Sequence, residues 1–499
     1  MALRIITLLA CGIAVSVVSS AAEGENWPQF RGPGHAGIAA KTARLPVEFG
    51  PSKGLLWRKP VPVGHSSPCI WGDQIFITGF DKDKGELIVI ALHRNKGGAE
   101  LWRRTVVPKQ LENVHAVSNP ATATIATDGQ KVYAYFGSYG LLAYTIEGKH
   151  VWSTKIPVAQ AAHGSPVSPT LVGDLIIIAR DYPPNPELLA YSKSTGKLAW
   201  RFALEKRTGP QANTSHATVV LFKDHIVLHR PEELAGHSLQ DGTRLWRVGL
   251  ATGGISTPVV AADTVFVAAY TNFGEPGMNS ALPDFPSLAA RADADNDGKV
   301  SKAEAPTDLY VFKRPGVAES IPGTSMTIRD AFGFIDGNKD GSLDATEWVR
   351  IQDVVKTMTA NRHGITAVQP NGSGDITLTA VRWSENRNVP EVPAPLYYRD
   401  RVYTIMNGGI FTCLDAQSGK VIYRGRIGAP GPYYAAPVAV DGKILLASGD
   451  GVVTVLGVGD ELTVLSQTDL GEQIFATPAP IGTALYLRSV RTMWAFGKP

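Results

Sequence analysis

Cysteine is scarce: the 499 residues include three, at positions 11, 69 and 413. A disulfide framework is therefore excluded as the stabilising device, and no adjacent cysteine pair or Cys-x-x-Cys-His haem-attachment run occurs. An excess of charge of one sign is lacking too. The 48 Lys and Arg nearly balance 45 Asp and Glu, with a formal net charge of +3 and no basic run, which argues against a nucleic-acid partner. Long apolar runs are missing beyond residue 18, so the protein is not expected to be integral to a membrane.

The one apolar run, residues 5–18, follows Arg4 and precedes Ser19, Ser20, Ala21 and Ala22. That order describes a secretory signal peptide over residues 1–22, cleaved near Ala22, and implies a periplasmic or secreted protein. Leu8, Leu9, Ala10 and Cys11 faintly resemble a lipoprotein box, but the apolar segment continues past Cys11, and lipidation is not the preferred reading. Cys69 and Cys413 then remain on separate apolar strands and read as buried free thiols.

What is abundant is spread evenly. The 51 Gly and 34 Pro are distributed as in turn-rich all-β proteins, and 44% hydrophobic residues suffice for a large core. Length alone would suggest about three domains, but a repeat overrides that prior. The clearest copy runs from Ser165 and Pro166 through the turn Gly173–Asp174 to Gly196 and Trp200; the first runs from Pro68 through Gly72 and Asp73 to Trp102. Further copies end at Trp152, Trp246 and Tyr423. One residue marks the start of each copy: Pro68, Pro120, Pro166, Thr218, Pro258, Pro395, Pro437 and Pro478. Their spacings are 52, 46, 52, 40, 137, 42 and 41, and removing residues 275–365 reduces the outlier to 46. A four-stranded unit every 40–50 residues predicts a β-propeller, here all-β with eight blades. The last copy has three strands, and a spare strand around Leu55–Trp57 is expected to complete its sheet and close the ring, since an open ring would expose an unpaired edge. The expected organisation is thus blades one to five over 23–274 with the closing strand, an inserted segment in blade five over 275–365, and the remaining blades over 366–499. The tryptophans are read as aromatic docking between blades.

The insertion carries the most specific chemistry. Its first loop places Asp293, Asp295, Asp297, Lys299, Ser301 and Glu304 at positions 1, 3, 5, 7, 9 and 12; its second places Asp336, Asn338, Asp340, Ser342, Asp344 and Glu347 there. Ca²⁺ needs several hard oxygen ligands, and this spacing supplies them, position 7 through its carbonyl and position 12 through both carboxylate oxygens. Gly298 and Gly341 fill position 6, where the loop bends sharply. The pattern resembles a paired EF-hand, with Val300 and Leu343 at position 8 expected to touch through a short strand contact. Ile328, Ala331, Phe332 and Ile335 precede the second loop at helical spacing; Trp348, Ile351, Val355 and Met358 follow it likewise. Phe285, Leu288, Ala289 and Ala292 form a stripe before the first loop, but Pro306 cuts its exit helix short. Two Ca²⁺ sites are expected, in a small α-helical insertion.

The repeats resemble the pyrroloquinoline-quinone-like propeller family, which covers quinoprotein alcohol dehydrogenases and non-catalytic relatives that assist outer-membrane assembly. The stretch Asn26, Trp27, Pro28, Gln29, Phe30, Arg31, Gly32, Pro33 resembles the opening of secreted bacterial members. The resemblance implies the fold; the dehydrogenases also use an adjacent cysteine pair that this chain lacks. Their calcium-plus-carboxylate cluster has no assignable counterpart, so catalytic residues remain unassigned and pyrroloquinoline quinone is not the favoured cofactor. The preferred reading is a calcium-binding scaffold with a protein or polysaccharide partner on a propeller face. The alternative is a quinoprotein-type oxidoreductase acting on an alcohol or sugar. His65, His115, His163 and His216 all precede inner strands. They are read as scattered structural histidines, with a cluster at one channel mouth beside Tyr433, Tyr434 and Phe475 as the alternative. Ser66 and Ser67 beside His65 make no triad, because no Asp partner can be chosen. The insertion need not approach that mouth, and its calcium is expected to tune stability or partner binding and not to be a catalytic metal.

Overall fold

A computed structural model describes residues 26–498, apart from 159, 162, 208–214, 272–273, 279–281, 322 and 361–362, and the side chains of 357–360. The expected signal peptide and the Met358 side chain lie outside the described residues.

Eight sheets follow one another along the chain. The first is Cys69–Trp71, Gln74–Asp81, Glu86–His93 and Glu100–Val106, joined in antiparallel order from inner to outer strand. Six more repeat that order. In the eighth, Ala479–Ile481, Ala484–Arg488 and Thr492–Gly497 receive Leu55–Pro60 as the outermost strand, so the amino-terminal strand closes the ring as expected. Middle strands such as Leu175–Arg180 and Val132–Phe136 are buried on both faces, which is why they read as apolar runs rather than alternating ones.

Side-chain hydroxyls tie the inner strands around the channel. The Ser67 backbone N–H donates to Thr124 Oγ1 at 2.9 Å, Thr124 to Ser168 Oγ at 3.0 Å, Ser168 to Thr218 Oγ1 at 3.0 Å and Thr218 to Thr257 Oγ1 at 3.1 Å. Ala436 donates to Thr477 Oγ1 at 3.1 Å, and Thr477 to Ser67 Oγ at 2.9 Å, joining the last blade to the first. Each bond satisfies a buried backbone donor that the neighbouring strand cannot reach.

Outer-strand tryptophans dock between blades. Trp57, Trp102, Trp152, Trp200 and Trp383 each donate Nε1–H to a carbonyl of the following blade, those of Arg94, Ile146, Lys193, Leu239 and Ala416. Glycine receives the ring: at Gly196 (φ 69°) a Cβ would lie 2.4 Å from Trp152, and at Gly148 (φ 84°) 2.5 Å from Trp102. Trp246 departs from this pattern. It folds onto its own sheet over Gly236, donates to His225 Nδ1 at 3.0 Å, and is paired by the short strand Gly374–Asp375, which adds a fifth strand there.

The residues after 25 close one end of the channel. Trp27 exchanges backbone bonds with Ile70 at 2.8 Å, Pro28 accepts from the Thr127 N–H, and Arg31 Nη2 donates to the Pro395 carbonyl at 2.8 Å. Ala39 N–H bonds to the Ala439 carbonyl and Arg44 N–H to that of Gly482. One segment thus touches the first, second, sixth, seventh and eighth blades, with Trp27, Arg31 and His35 fully buried.

In the fifth sheet the chain leaves strand Thr264–Ala269 and returns in strand Gly364–Val368, its antiparallel neighbour. Between them lie α1 (Phe285–Ala292), α2 (Ile328–Ile335) and α3 (Ala345–Ala360). α2 starts with a reciprocal cap between Thr327 and Asp330, and buries Ile328, Ala331, Phe332 and Ile335. The inner strand runs away from the channel mouth and the second runs back, so the turn between second and third strands lies at the mouth end. The insertion therefore emerges beside the mouth rather than clear of it.

Candidate functional site

The two acidic loops have the same backbone hydrogen-bond plan. Asp293 Oδ2 accepts from Gly298 N–H at 2.9 Å, and Asp336 Oδ2 from Gly341 N–H at 3.0 Å. Glu304 reaches back to Ala294 N–H at 2.9 Å, and Glu347 to Gly337 N–H at 2.8 Å. Gly298 and Gly341 have φ of 82° and 87°, as the bend at position 6 requires. Val300 pairs with Leu343 and Ser301 with Ser342 in a two-stranded contact. No exit helix follows the first loop among the described residues; residues 302–305 form turns before Pro306.

The donor set fits a hard cation. Carboxylate oxygens of Asp293, Asp295 and Asp297 lie within 4.8 Å of one another, and Asp336 Oδ1 is buried with no protein partner. Hydrogen bonds from the Ser301 side chain and backbone and from Ala294 hold the Glu304 carboxyl down to about 2, so it is ionised and ready to ligate. At Asp295 a bond from Asp297 N–H favours the anion, but desolvation and the charges of Asp297, Glu304 and Asp293 outweigh it and raise the carboxyl. Lys299 Nζ crosses between loops to Asp340 Oδ2 at 2.9 Å. Asp344 Oδ1 accepts from Glu347 N–H at 2.9 Å.

At the mouth three of the four histidines meet. The His115 and His163 ring centroids are 4.9 Å apart, and those of His163 and His216 5.5 Å. His65 stacks instead on Phe475 at 4.1 Å, and Phe475 on Tyr434 at 4.7 Å. Tyr433 takes no part: it is buried, and its hydroxyl donates to the Ala429 carbonyl at 2.8 Å. The reading of the histidines as scattered is corrected accordingly. Each stands on the loop that leads into its blade, and the ring brings those loops together. The three rings are in contact without forming a metal triad, since among the described residues only Asp293, Asp295 and Asp297 bring three ligand atoms so close.

Desolvation by burial lowers His216 and His65 to about 3, and with the neighbouring His115 it lowers His163, so these imidazoles are neutral near pH 7. Behind them Glu112 is 5% exposed, and burial lifts its carboxyl to about 7 despite nearby Ser165, Ser138 and Arg180. Tyr182 Oη and His216 Nδ1 are buried without hydrogen-bond partners. A groove of about 1090 Å³ leads to His115 and Glu112, walled by Val61, Pro62, Phe80 and Leu111. Neutral donors and acceptors, an aromatic stack and an apolar groove suit recognition of a mixed polar and apolar ligand. The groove, Glu112 and Tyr182 were not singled out from sequence; no local motif marks them.

Residues 87–278 match the family described as outer membrane protein assembly factor BamB, and residues 328–352 match the EF hand. No curated protein sequence matches this chain. Among solved structures, BamB from Moraxella catarrhalis is similar at 11% identity and TM-score 0.50, covering 88% of this chain and 97% of that one. A europium-containing methanol dehydrogenase is similar at 11% identity and TM-score 0.56, covering 95% and 98%. The quinohemoprotein alcohol dehydrogenase of Comamonas testosteroni is similar at 12% identity and TM-score 0.53, covering 96% and 81%. At these identities the likeness is one of fold. The propeller does not offer the adjacent cysteine pair of quinone enzymes. Cys69 is buried with its thiol on the Pro28 carbonyl, and Cys413 is buried in the sixth sheet opposite Tyr403 and Tyr423. No step through a quinone is derived from these residues.

Proposed function

We propose that this protein is a periplasmic or secreted calcium-binding scaffold that holds a protein or polysaccharide partner at the open mouth of its propeller. The observation that carries the reading is the gathering of His115, His163, His216, Tyr182 and the groove beside Glu112 at the mouth, beside which the connection bearing the insertion emerges. Asp293, Asp295, Asp297, Ser301 and Glu304, with the Lys299 carbonyl, would hold one Ca²⁺. Asp336, Asn338, Asp340, Asp344 and Glu347, with the Ser342 carbonyl, would hold the second. Calcium would supply charge neutralisation and order, since EF-hand loops surround the ion with protein oxygens. His115, His163, His216, Tyr182 and the groove beside Glu112 would contact the partner, and the closed far end would keep it from threading through.

Binding to arrays of glycans and of unfolded outer-membrane polypeptides, compared between wild type and His163→Ala/His216→Ala, tests the proposal. A ligand whose binding drops at least tenfold in the variant supports it. Binding indifferent to the variant, or a stoichiometric quinone in the acid extract of protein made in its native compartment, would overturn it.

A further inference from the structure

The insertion does more than emerge beside the mouth; it sends one side chain into its wall. Tyr270 follows the strand where the insertion departs, and His363 precedes the strand where it returns. Between them Glu275 Oε1 accepts from the Asn388 N–H at 2.7 Å, linking the insertion to the loop that leads into the sixth sheet. Glu391 stands in the same loop, near enough to Tyr434 to help burial hold its hydroxyl above the ordinary range. Arg314 enters this frame from the hairpin Tyr310–Lys313 and Ser325–Thr327. Its guanidinium is 1% exposed, lies 4.1 Å over the Tyr270 ring and stands 4.0 Å from Glu391 Oε2.

A buried guanidinium is stable only while its surroundings stay assembled, because an unpaired charge in the interior is costly. What assembles them is the calcium module. The Thr327 end of the hairpin caps α2, and α2 runs directly into Asp336, the first ligand position of the second loop. Arg329 on α2 donates to the Ala305 and Ala303 carbonyls at the end of the first loop, at 2.8 and 2.7 Å. The hairpin connection docks on the sixth blade, with Val317 and Ile321 packed on Met406 and Ile410 and Arg426 bonded to the Gly316 carbonyl. Without metal the clustered carboxylates of each loop repel one another and strain these joints.

We propose that calcium seats Arg314 in the mouth. With both loops filled, the hairpin holds the guanidinium among Tyr270, Glu275, Glu391 and His363; without metal it is released, and that side of the mouth loosens. This rests on the calcium reading of the loops given above. Linkage makes the effect reciprocal: whatever stabilises the seated arginine tightens calcium binding by the same factor.

Hydrogen exchange with calcium and with chelator, on wild type, Arg314→Gln and Glu391→Gln, together with calcium calorimetry, tests the proposal. In wild type, calcium protects residues 293–347 and also residues 363–368 and 388–391 at the mouth. In Arg314→Gln the two ions still bind, about tenfold more weakly, and protection stays within 293–347. Glu391→Gln, which leaves the half-exposed loop and the arginine in place, shifts both readouts in the same direction by less, and decides the matter should Arg314→Gln fail to fold. Two ions bound with wild-type protection confined to 293–347, or calcium affinity unchanged in both variants, overturns the coupling alone. No calcium bound at all would instead remove the reading of the loops on which it rests.

Discussion

The two ends of the channel are built on opposite plans. At the closed end Trp27, Arg31 and His35 are fully buried, and the backbone of one segment bonds to the first, second, seventh and eighth blades. At the mouth, His115 and His163 are exposed, and Tyr182 and His216 keep buried polar atoms without partners. Buried polar groups are ordinarily hydrogen-bonded, so partnerless ones mark where water or a ligand completes the structure. The closed end is packed and bonded to the blades, although Trp27 Nε1 and Arg31 Nε and Nη1 are buried there without hydrogen-bond partners as well. The mouth differs in leaving His115 and His163 open to solvent. The sharpest test of that division is stability itself. Trp27→Ala should cost about 3–5 kcal/mol, as large-to-small changes at buried tryptophans do. His115→Ala/His163→Ala should stay within about 0.5 kcal/mol, as exposed substitutions do. Urea midpoints decide it; equal losses at the two ends would break the comparison.

Calcium should give the next largest effect, confined to the mouth end. Calorimetry should count two ions in wild type and fewer in Glu304→Gln/Glu347→Gln. At a hundredfold excess over Kd, mass action should stabilise the insertion by about 2.7 kcal/mol for each ion bound. Unchanged stoichiometry in the double variant would show that the ions lie elsewhere.

Acid should act on the closed end by a smaller amount. Burial lowers His35 from 6.5 to about 4, with the Arg31 charge helping and a bond to the Phe30 carbonyl opposing. The unfolded state therefore binds the extra proton between those values. The contribution is complete above pH 6.5 and falls as pH drops towards 4, by about 2 kcal/mol at pH 5. His35→Gln should flatten that part of the profile. Glu112 carries the opposite sign: its carboxyl is raised to about 7, so its contribution declines as pH rises from 4.5 to 7. Glu112→Gln should therefore steepen the acid loss. Urea midpoints from pH 5 to 8 check both; because the two contributions oppose each other in wild type, the comparison of variants decides, and an acid loss between pH 7 and 5 that is no smaller in His35→Gln than in wild type would refute the sign for His35.

The contrast between the ends also explains what could be read from sequence. Blade period, ring closure and the helices around the second loop were legible because each is a local pattern of apolar spacing, glycine and proline. The acidic loops were legible because twelve consecutive residues carry all their ligand positions. The histidine contacts were not, because His65, His115 and His163 stand at different distances from their strands and only the ring brings their loops together. Arg314 carries no motif, and its role depends on where a hairpin docks. Trp246 misled for a further reason. It ends its repeat like the others, but Gly372 and Gly374 in the fifth blade's longer connection do not lie against its ring, and Gly236 in its own sheet takes it.

The smallest expected effect separates the two calcium loops from each other. Lys299 lends its carbonyl to the first loop, while its ammonium holds Asp340 of the second at 2.9 Å, with both side chains exposed. That bond, first among the causes, keeps the Asp340 carboxyl below its ordinary range. Calcium in the second loop has to draw Asp340 away from the ammonium, so the pair competes with the ion. Exposed pairs of this kind are weak, so the competition amounts to at most about a fivefold change in affinity. Lys299→Ala keeps the carbonyl ligand and removes the competitor, so the second site should bind calcium up to about fivefold more tightly. The advantage should shrink in about 1 M salt, where exposed charges are screened. Weaker calcium binding in Lys299→Ala would mean that the ammonium supports the loop and does not compete with the metal.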